Sequence, residues 1–167
     1  MKNKKGFSLI ELMVVVVILG LIVLGLVTFF TGGTKSWVAG QSQLSAQRNA
    51  RQAIDTMVRE IREASNIIAG STSSKKIKFN TPWITNLEYS WSGNKWDPIL
   101  RGTNPLINNV QNLSFTYFDN GDILIDPPDS DKVSKVRINL QVDVDKDSKP
   151  DIDLNTDVNL RNYGLPE

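Results

Sequence analysis

The feature that most limits how this chain can fold is an apolar run close to its start. Residues 7–30 are 24 residues long and include one charged residue, Glu11, and no proline. A helix rises about 1.5 Å per residue, so this run gives a helix of roughly 36 Å, longer than the hydrocarbon core of a bilayer. The sequence therefore predicts a helix over 7–30 that spans a membrane and contacts its lipid.

Glu11 is the one residue of this run that needs a separate explanation. A carboxylate costs about 2.5–3.5 kcal/mol at the centre of a membrane helix and less near the interface. The cations nearest to it in sequence are Lys2, Lys4 and Lys5, all upstream of Gly6. We therefore expect Glu11 to have a partner that offsets the cost of its burial.

The start of the chain carries a resemblance that supplies such a partner. A lysine-rich leader over residues 1–6, followed by Phe7-Ser8-Leu9-Ile10-Glu11, resembles the processing site of type IV pilins and of the pseudopilins of type II secretion and DNA-uptake machines. The resemblance implies that a prepilin peptidase cuts after Gly6 and that the new amino terminus, Phe7, is methylated. It also implies that Glu11 pairs with the Phe7 amine of a neighbouring subunit, and pairing offsets part of the desolvation cost. The implied partners are the peptidase, other pilin or pseudopilin subunits, the inner assembly platform and membrane lipid.

Two other kinds of amino-terminal segment are alternatives to this interpretation. A secretory signal has an apolar core of about 7–15 residues followed by a small-residue cleavage site. The present run is longer, and residues 28–31 offer no such site. A plain anchor that carries an extracytoplasmic ligand-binding domain and forms no filament remains as the alternative function, although a plain anchor has no need of Glu11.

Composition limits both topology and chemistry. The chain has 19 Lys+Arg and 18 Asp+Glu, and loss of the leader would leave 16 against 18. After the apolar run the first lysine is Lys35, so the positive-inside rule places the amino terminus in the cytoplasm and the remainder outside it. The chain has no cysteine and no histidine, which excludes disulfides, Cys/His metal sites, thiol nucleophiles and histidine-based triads. No enzyme is predicted, and a hydrolase that uses Asp119 and Asp122 is only a third hypothesis.

The residues after the apolar run predict a break and then a second helical pattern. Gly32 and Gly33 each weaken a helix by about 1 kcal/mol relative to alanine, so residues 31–40 are predicted to form a flexible exit segment. Over 41–68 apolar residues recur at helical spacing and predict a long amphipathic helix. Its apolar stripe comprises Leu44, Ala50, Ile54, Met57, Val58, Ile61 and Ala64, and its solvated face carries Arg51, Asp55, Arg59 and Glu63.

The remainder of the chain, residues 75–162, has the alternation typical of strands. Residues 86–91 with 95–100, and residues 136–144 with 152–160, predict two hairpins, and Asn120-Gly121 favours a type I′ turn. We expect one antiparallel sheet of four to six strands. The predicted fold class is α+β and pilin-like: an amino-terminal transmembrane helix, then a soluble domain over 41–167 in which the amphipathic helix packs on the sheet. The strand region and its close over 158–162 look similar to the minor-subunit group that includes the J-type pseudopilin.

A cluster of aspartates marks the last predicted turn. Its members are Asp143, Asp145, Asp147, Asp151 and Asp153. The predicted hairpin places Asp145 opposite Asp151 and Asp143 opposite Asp153, and like charges that face each other across a ladder are destabilising. A calcium ion would remove that repulsion, whereas a solvated acidic turn compensated by Lys146 and Lys149 would need no ion. Both interpretations stay open. Nucleic-acid binding is not predicted, because residues 75–78 hold the only basic cluster outside the leader.

Overall fold

The computed structural model describes residues 8–126, 128–129 and 132–161, and it divides the chain into two compact units between Ser42 and Gln43. The helix α1 covers Leu9–Arg62. Within the described residues, eight strands and one 3₁₀ turn at Ala69–Ser71 follow it. The strands are β1 Asn66–Ile67, β2 Lys76–Asn80, β3 Leu87–Trp91, β4 Ile99–Arg101, β5 Asn104–Ile107, β6 Val110–Phe118, β7 Lys135–Val142 and β8 Ile152–Asn159.

The first unit contains the apolar start of α1. Among the described residues α1 is the one helix long and apolar enough to cross a membrane, with a mean hydropathy of 3.1 over its most apolar stretch and none of that stretch buried. The predicted break over residues 31–40 is wrong, because α1 continues through Gly32 and Gly33. The hydroxyls of Thr28, Thr31 and Thr34 donate to carbonyls one turn earlier, so their own hydrogen bonds are satisfied within the helix. No proline interrupts the ladder, and two glycines alone do not end it.

In the second unit α1 buries one face, as the periodicity predicts. Its buried residues are Ala50, Ala53, Ile54, Met57 and Ile61. Arg51, Asp55 and Arg59 are exposed on the opposite side, whereas Leu44, assigned to the apolar stripe, is 53% exposed. The helix also ends at Arg62 and not near residue 68. The reason is a competing set of bonds: the amide of Ser65 donates to the carbonyl of Asn80, and the chain then pairs with β2 as the short strand β1.

The strands form two antiparallel sheets and not the single sheet predicted. Sheet A has the order β1-β2-β3-β4-β5, and sheet B has the order β6-β7-β8. β3 pairs with β4 as the sequence predicts, with Trp91 opposite Ile99. The Asn-Gly turn is not type I′. That turn type requires a positive φ at both Asn120 and Gly121, whereas the positive φ in this loop is at Asp122 (60°). The amide of Asp119 instead donates to the carbonyl of Ile123, which closes a longer loop.

One hydrophobic core joins α1 to both sheets within the second unit. Its largest fully buried side chains are Tyr89, Phe79, Met57, Ile61, Ile67, Ile77, Ile99, Leu113, Ile138, Leu140, Val110 and Val133. In β7 burial alternates strictly, with Val136, Ile138, Leu140 and Val142 facing the core. The α+β architecture therefore holds, with a long amino-terminal helix followed by antiparallel sheets.

Met57 offers a direct test of this core. Met57 is fully buried on α1, so Met57→Ala removes contacts and leaves a cavity, and we expect the free energy of unfolding to fall by about 2–5 kcal/mol. Arg51→Ala, six residues earlier on the exposed face of the helix, should change it by less than about 0.5 kcal/mol. Denaturant unfolding of the detergent-solubilised protein, followed by tryptophan fluorescence, measures both. Equal effects of the two substitutions would contradict the assigned helix face.

Candidate functional site

Glu11 lies in the first turn of α1 and contacts the start of its own helix. The amide of Ser8 donates to Oε2 of Glu11 at 3.2 Å, and the amide of Leu12 donates to the carbonyl of Ser8 at 3.3 Å. Ser8 is therefore the residue before the first helical turn and Glu11 the third residue within it, the spacing of a capping box. Sequence reasoning missed this role, although the Ser-x-x-Glu pattern before an apolar run is its usual signal. The cleavage positions Gly6 and Phe7 lie outside the described residues.

The cap gives Glu11 a partner within its own chain. A helix start carries a partial positive charge and unpaired amides, so a carboxylate in the first turn is stabilised there. Glu11 is exposed, and the cap uses one of its two carboxylate oxygens. The same side chain can therefore serve its own helix and still accept a bond from a cation outside it.

The surface beside Glu11 is apolar and uncovered. Every large apolar side chain from Leu9 to Phe30 is exposed, from 48% at Val15 to 79% at Leu9. Apolar surface of this extent is stable only against lipid or against other apolar helices. From Leu9 to Phe30 the helix therefore exposes an apolar surface with a single carboxylate near its start.

A cluster of three polar side chains in the second unit joins α1 to sheet A. The guanidinium of Arg101 donates twice to the carboxylate of Glu60, at 3.0 and 2.9 Å, and the hydroxyl of Tyr89 also donates to Glu60. Burial, followed by the bond to Glu60, raises the pKa of Tyr89 well above its ordinary value. The hydrogen bonds to Glu60 likewise raise the pKa of Arg101. Tyr89 therefore stays neutral and Arg101 stays charged near neutral pH, and the cluster fixes the helix on the sheet.

Sequence reasoning also missed this cluster. Glu60 lies three residues after Met57 and next to Ile61, at the margin of the apolar stripe. An acid in that position is half-buried and needs a cation. The partner, Arg101, comes from a strand about forty residues later, and only the sheet topology brings it near.

The aspartate cluster is only partly assembled in the structure. One carboxylate oxygen each from Asp143, Asp145 and Asp151 lies within 4.8 Å of the other two. Asp153 is not in the group, since it accepts hydrogen bonds from Asn139 and Gln141. Asp147 accepts one from the amide of Lys149 instead. The predicted opposition of Asp143 and Asp153 is wrong, because the β7–β8 register places Asp153 opposite Gln141.

Asp143 organises the loop between β7 and β8. It is completely buried, and its carboxylate accepts bonds from the indole of Trp96 at 3.2 Å and the amides of Ser148 and Lys146 at 3.0 and 2.7 Å. Desolvation alone would raise its pKa, but these hydrogen bonds together outweigh it and leave the pKa lowered. Lys146 and Ser148 adopt positive φ values of 62° and 70°, which lets the loop turn its amides toward the carboxylate.

These bonds bear on the calcium prediction. Asp143, Asp145 and Asp151 offer the hard oxygen ligands that calcium prefers. Yet Asp151 also accepts a bond from the amide of Val144 at 2.7 Å, and Asp145 one from the amide of Asp147 at 3.2 Å. The bond from Asp147 lowers the pKa of Asp145, but desolvation and the neighbouring carboxylates raise it overall. Backbone donors therefore already stabilise much of this charge, and calcium at this loop stays a prediction.

Asp119 and Asp122, the residues of the hydrolase hypothesis, line one surface cavity of about 290 Å³. Oδ1 of Asp119 accepts bonds from the amides of Gly121 and Ile123, both at 2.8 Å. Asp122 forms an ion pair with Lys135. Both carboxylates thus have structural partners in the loop.

The comparison with protein families gives one match. Residues 1–27 match the family described as the prokaryotic N-terminal methylation motif. This motif is the signature of type IV pilins and pseudopilins, so the chain carries that signature. The comparison with curated proteins finds no match. The matched residues end within the apolar run and do not reach the soluble unit, so they give no support to a J-type subunit in particular.

Asp143→Ala tests the role of the buried carboxylate. The substitution leaves an indole and two amides without their acceptor, and we expect it to lower the free energy of unfolding by about 2–3 kcal/mol near neutral pH. Asp147→Ala, in the exposed part of the same loop, should cost less than about 1 kcal/mol.

The pH dependence supplies a second readout for Asp143→Ala. A lowered native pKa stabilises the fold above the unfolded-state pKa of about 3.9, and this contribution disappears as the pH falls through the native pKa. The difference in the free energy of unfolding between wild type and Asp143→Ala should therefore shrink in acid. Denaturant unfolding at a series of pH values from about 7 to about 2 measures it. A difference that is constant over this range would contradict an ionised, hydrogen-bonded Asp143.

Proposed function

We propose that this chain is the precursor of a pilin-like subunit, cut after Gly6, methylated at Phe7 and assembled through the apolar part of α1 into a filament. The methylation motif at residues 1–27 supports this proposal. The observation that carries it is a fully exposed apolar stretch of α1 that contains one carboxylate, in the first helical turn. A plain anchor needs the apolar surface and gains only the capping bond from the carboxylate, whereas assembly also gives that carboxylate a cationic partner.

Assembly follows from the physical properties of α1. Before assembly, lipid covers the residues from Leu9 to Phe30, and Glu11 accepts the capping bond from the amide of Ser8. In the filament the apolar surfaces of neighbouring helices cover one another, and Glu11 accepts a bond from the methylated Phe7 amine of the next subunit. Because the amine and the carboxylate are the only charges in an apolar contact, they pair at one register and disfavour every other.

The soluble unit decides what the assembled subunit presents. Its core and the Glu60–Arg101 pair hold α1 on the sheets, and it acts by contact and not by catalysis. We favour a minor subunit near the filament tip, because the unit is rich in strands and the chain has no cysteine for a stabilising disulfide. The filament serves pilus biogenesis, protein secretion or DNA uptake.

The proposal implies a route through the membrane. The precursor is a single-pass membrane protein with its amino terminus in the cytoplasm and its soluble unit outside. A prepilin peptidase processes it there, and the inner assembly platform adds it to other pilin or pseudopilin subunits. The final location is a surface or periplasmic filament.

Glu11→Leu and Glu11→Gln separate the assembly role of Glu11 from its capping role. Glutamine can accept the capping bond from Ser8 but cannot form an ion pair with an amine, whereas leucine does neither. We expect both variants to insert into the membrane and both to lower the amount of subunit in sheared filaments by about tenfold or more, the effect of losing about 1.4 kcal/mol per contact. Quantitative immunoblotting of membrane and sheared fractions measures this.

The glutamine variant provides the discriminating outcome. If Glu11→Gln assembled like wild type while Glu11→Leu did not, the cap alone would explain the need for Glu11, and the charge pairing would be refuted. Wild-type assembly by both variants would show that assembly needs neither the cap nor the charge, and absence of the wild-type chain from the sheared fraction would favour the anchored domain that forms no filament.

A further inference from the structure

The tryptophan loop, residues 81–86 between β2 and β3, holds a tryptophan outside the core. Trp83 is 85% exposed, and its neighbour Ile84 is 41% exposed. The amide of Thr81 donates to the carbonyl of Ile84 at 2.9 Å, and the amide of Ile84 donates to the hydroxyl of Thr81 at 3.0 Å. The backbone that carries Trp83 is therefore fixed by the loop's own hydrogen bonds. Tryptophan is enriched among the residues that dominate protein interfaces, so this position is typical of a contact residue.

The tryptophan loop lies at the end of the second unit where α1 ends. The amide of Ser65, three residues after α1, donates to the carbonyl of Asn80 at 2.8 Å, which brings the start of the loop to the helix end. The amide of Arg161 donates to the carbonyl of Arg62 at the same end. Both arginines are exposed, with Glu63 next to Arg62 in sequence. Within the described residues neither guanidinium forms an ion pair, so this end can meet an acidic surface.

The Leu44 pocket lies at the other end of the second unit. Gln43, one of its residues, precedes Arg62 by nineteen positions in α1, about 29 Å along a helix axis. The carbons of Leu44, which is 53% exposed, and of Ile152 give the pocket an apolar part. Its oxygen atoms suit an indole, whose N–H is a donor only and usually finds an acceptor when buried. The pocket has a volume of about 180 Å³ and is lined by Gln43, Leu44, Gln47, Asp151 and Ile152.

The segment beside the Leu44 pocket is acidic. Residues 145–153, which include Asp151 of the pocket, contain four aspartates and two lysines. Asp147 is exposed, and within the described part of the chain its carboxylate forms no ion pair and accepts a bond from the amide of Lys149. The two ends of the second unit therefore carry opposite charge, one beside an exposed indole and the other beside a pocket.

This arrangement indicates a second copy of the chain as the partner, in a head-to-tail contact. If two tryptophan loops met each other, Arg62 and Arg161 of one copy would face those of the other, and like charges across a contact are unfavourable. If the loop of one copy meets the Leu44 pocket of the next, the arginines face the acidic segment. Such a contact uses two different surfaces, so it continues from copy to copy into a filament unless the rotation closes a ring.

We propose that Trp83 of one copy inserts into the Leu44 pocket of the next copy along the filament. The indole covers Leu44, its N–H donates to an oxygen atom of the pocket, and Arg62 and Arg161 approach residues 145–153 of the neighbour. The inference rests on the proposed assembly through α1 and adds to it a contact between second units. It requires that more than one copy follow each other in the filament, which a minor subunit satisfies as a short run.

Because the chain has no cysteine, introduced thiols can test this contact by cross-linking. Thr85→Cys places a thiol beside Trp83 and Ser45→Cys places one beside the Leu44 pocket, and both positions are exposed. Cells that express the two full-length variants together are treated with a short bismaleimide. We expect a covalent dimer in the membrane and sheared fractions, and a ladder of larger products from a chain that carries both substitutions.

Asn155→Cys is the matched control for position. Asn155 is exposed midway along β8, away from both ends of the unit. Cells that express Asn155→Cys with Ser45→Cys should give at least about tenfold less product than those that express Thr85→Cys with Ser45→Cys.

Trp83→Ala, added to the Thr85→Cys chain, tests the indole itself. The cross-linked product should fall by about tenfold or more, and raised salt should lower the product from the chain that retains Trp83. Because Trp83 is 85% exposed, its removal should leave the unfolding transition of the detergent-solubilised protein unchanged. This control separates loss of the contact from loss of the fold.

Three results would overturn the contact. The first is absence of the product from both fractions, as expected if lipid or residues 162–167 cover Trp83. The second is product that Trp83→Ala leaves unchanged, and the third is as much product from Thr85→Cys alone as from the mixture. Wild-type chain in the sheared fraction without the cross-linked product would refute this contact and leave the proposed filament standing. Product in membranes without sheared filaments would do the reverse.

Discussion

The large apolar side chains from Leu9 to Phe30 have no protein core to cover them, and the rest of the chain depends on how that surface is satisfied. Lipid can cover it in a monomer, and neighbouring helices can cover it in an assembly. Neither partner accounts for a carboxylate unless something pairs with it. Glu11 has such a partner within its own helix in the Ser8 amide, and the proposed filament gives it a second one in a neighbouring amine.

The second unit has to stay folded without disulfides, because the chain has no cysteine. A single core packs α1 on both sheets, and two carboxylates, the half-buried Glu60 and the buried Asp143, reinforce it at separate places. Glu60 ties the helix to β3 and β4, and Asp143 gathers the amides of the β7–β8 loop. In each case the cost of burying a charge is offset by several hydrogen bonds to the same group. These carboxylates therefore act as structural elements of the second unit.

Local patterns predicted much of this structure, and contacts between distant segments account for most of what was missed. Helical spacing identified the buried face of α1, and alternation identified β7 and β8. The helix end at Arg62 and the split into two sheets depend on bonds to residues far along the chain, such as that from Ser65 to Asn80. Of the five aspartates predicted as a group, the structure brings three together, and the register of the hairpin could not be read from alternation alone. Glu11 was identified as the one charge of the apolar run and a resemblance supplied its predicted partner, while its capping bond was a local signal that was overlooked.

The central claim is that Phe7 is the amino terminus of the mature protein. Intact mass measurement with amino-terminal sequencing of the membrane-extracted protein tests it most directly. The account predicts a chain that starts at a methylated Phe7 in cells with an active prepilin peptidase, and an unprocessed chain in cells that lack the peptidase. A chain that still starts at Met1 in cells with an active peptidase would contradict the account and leave a membrane-anchored binding domain as the better description.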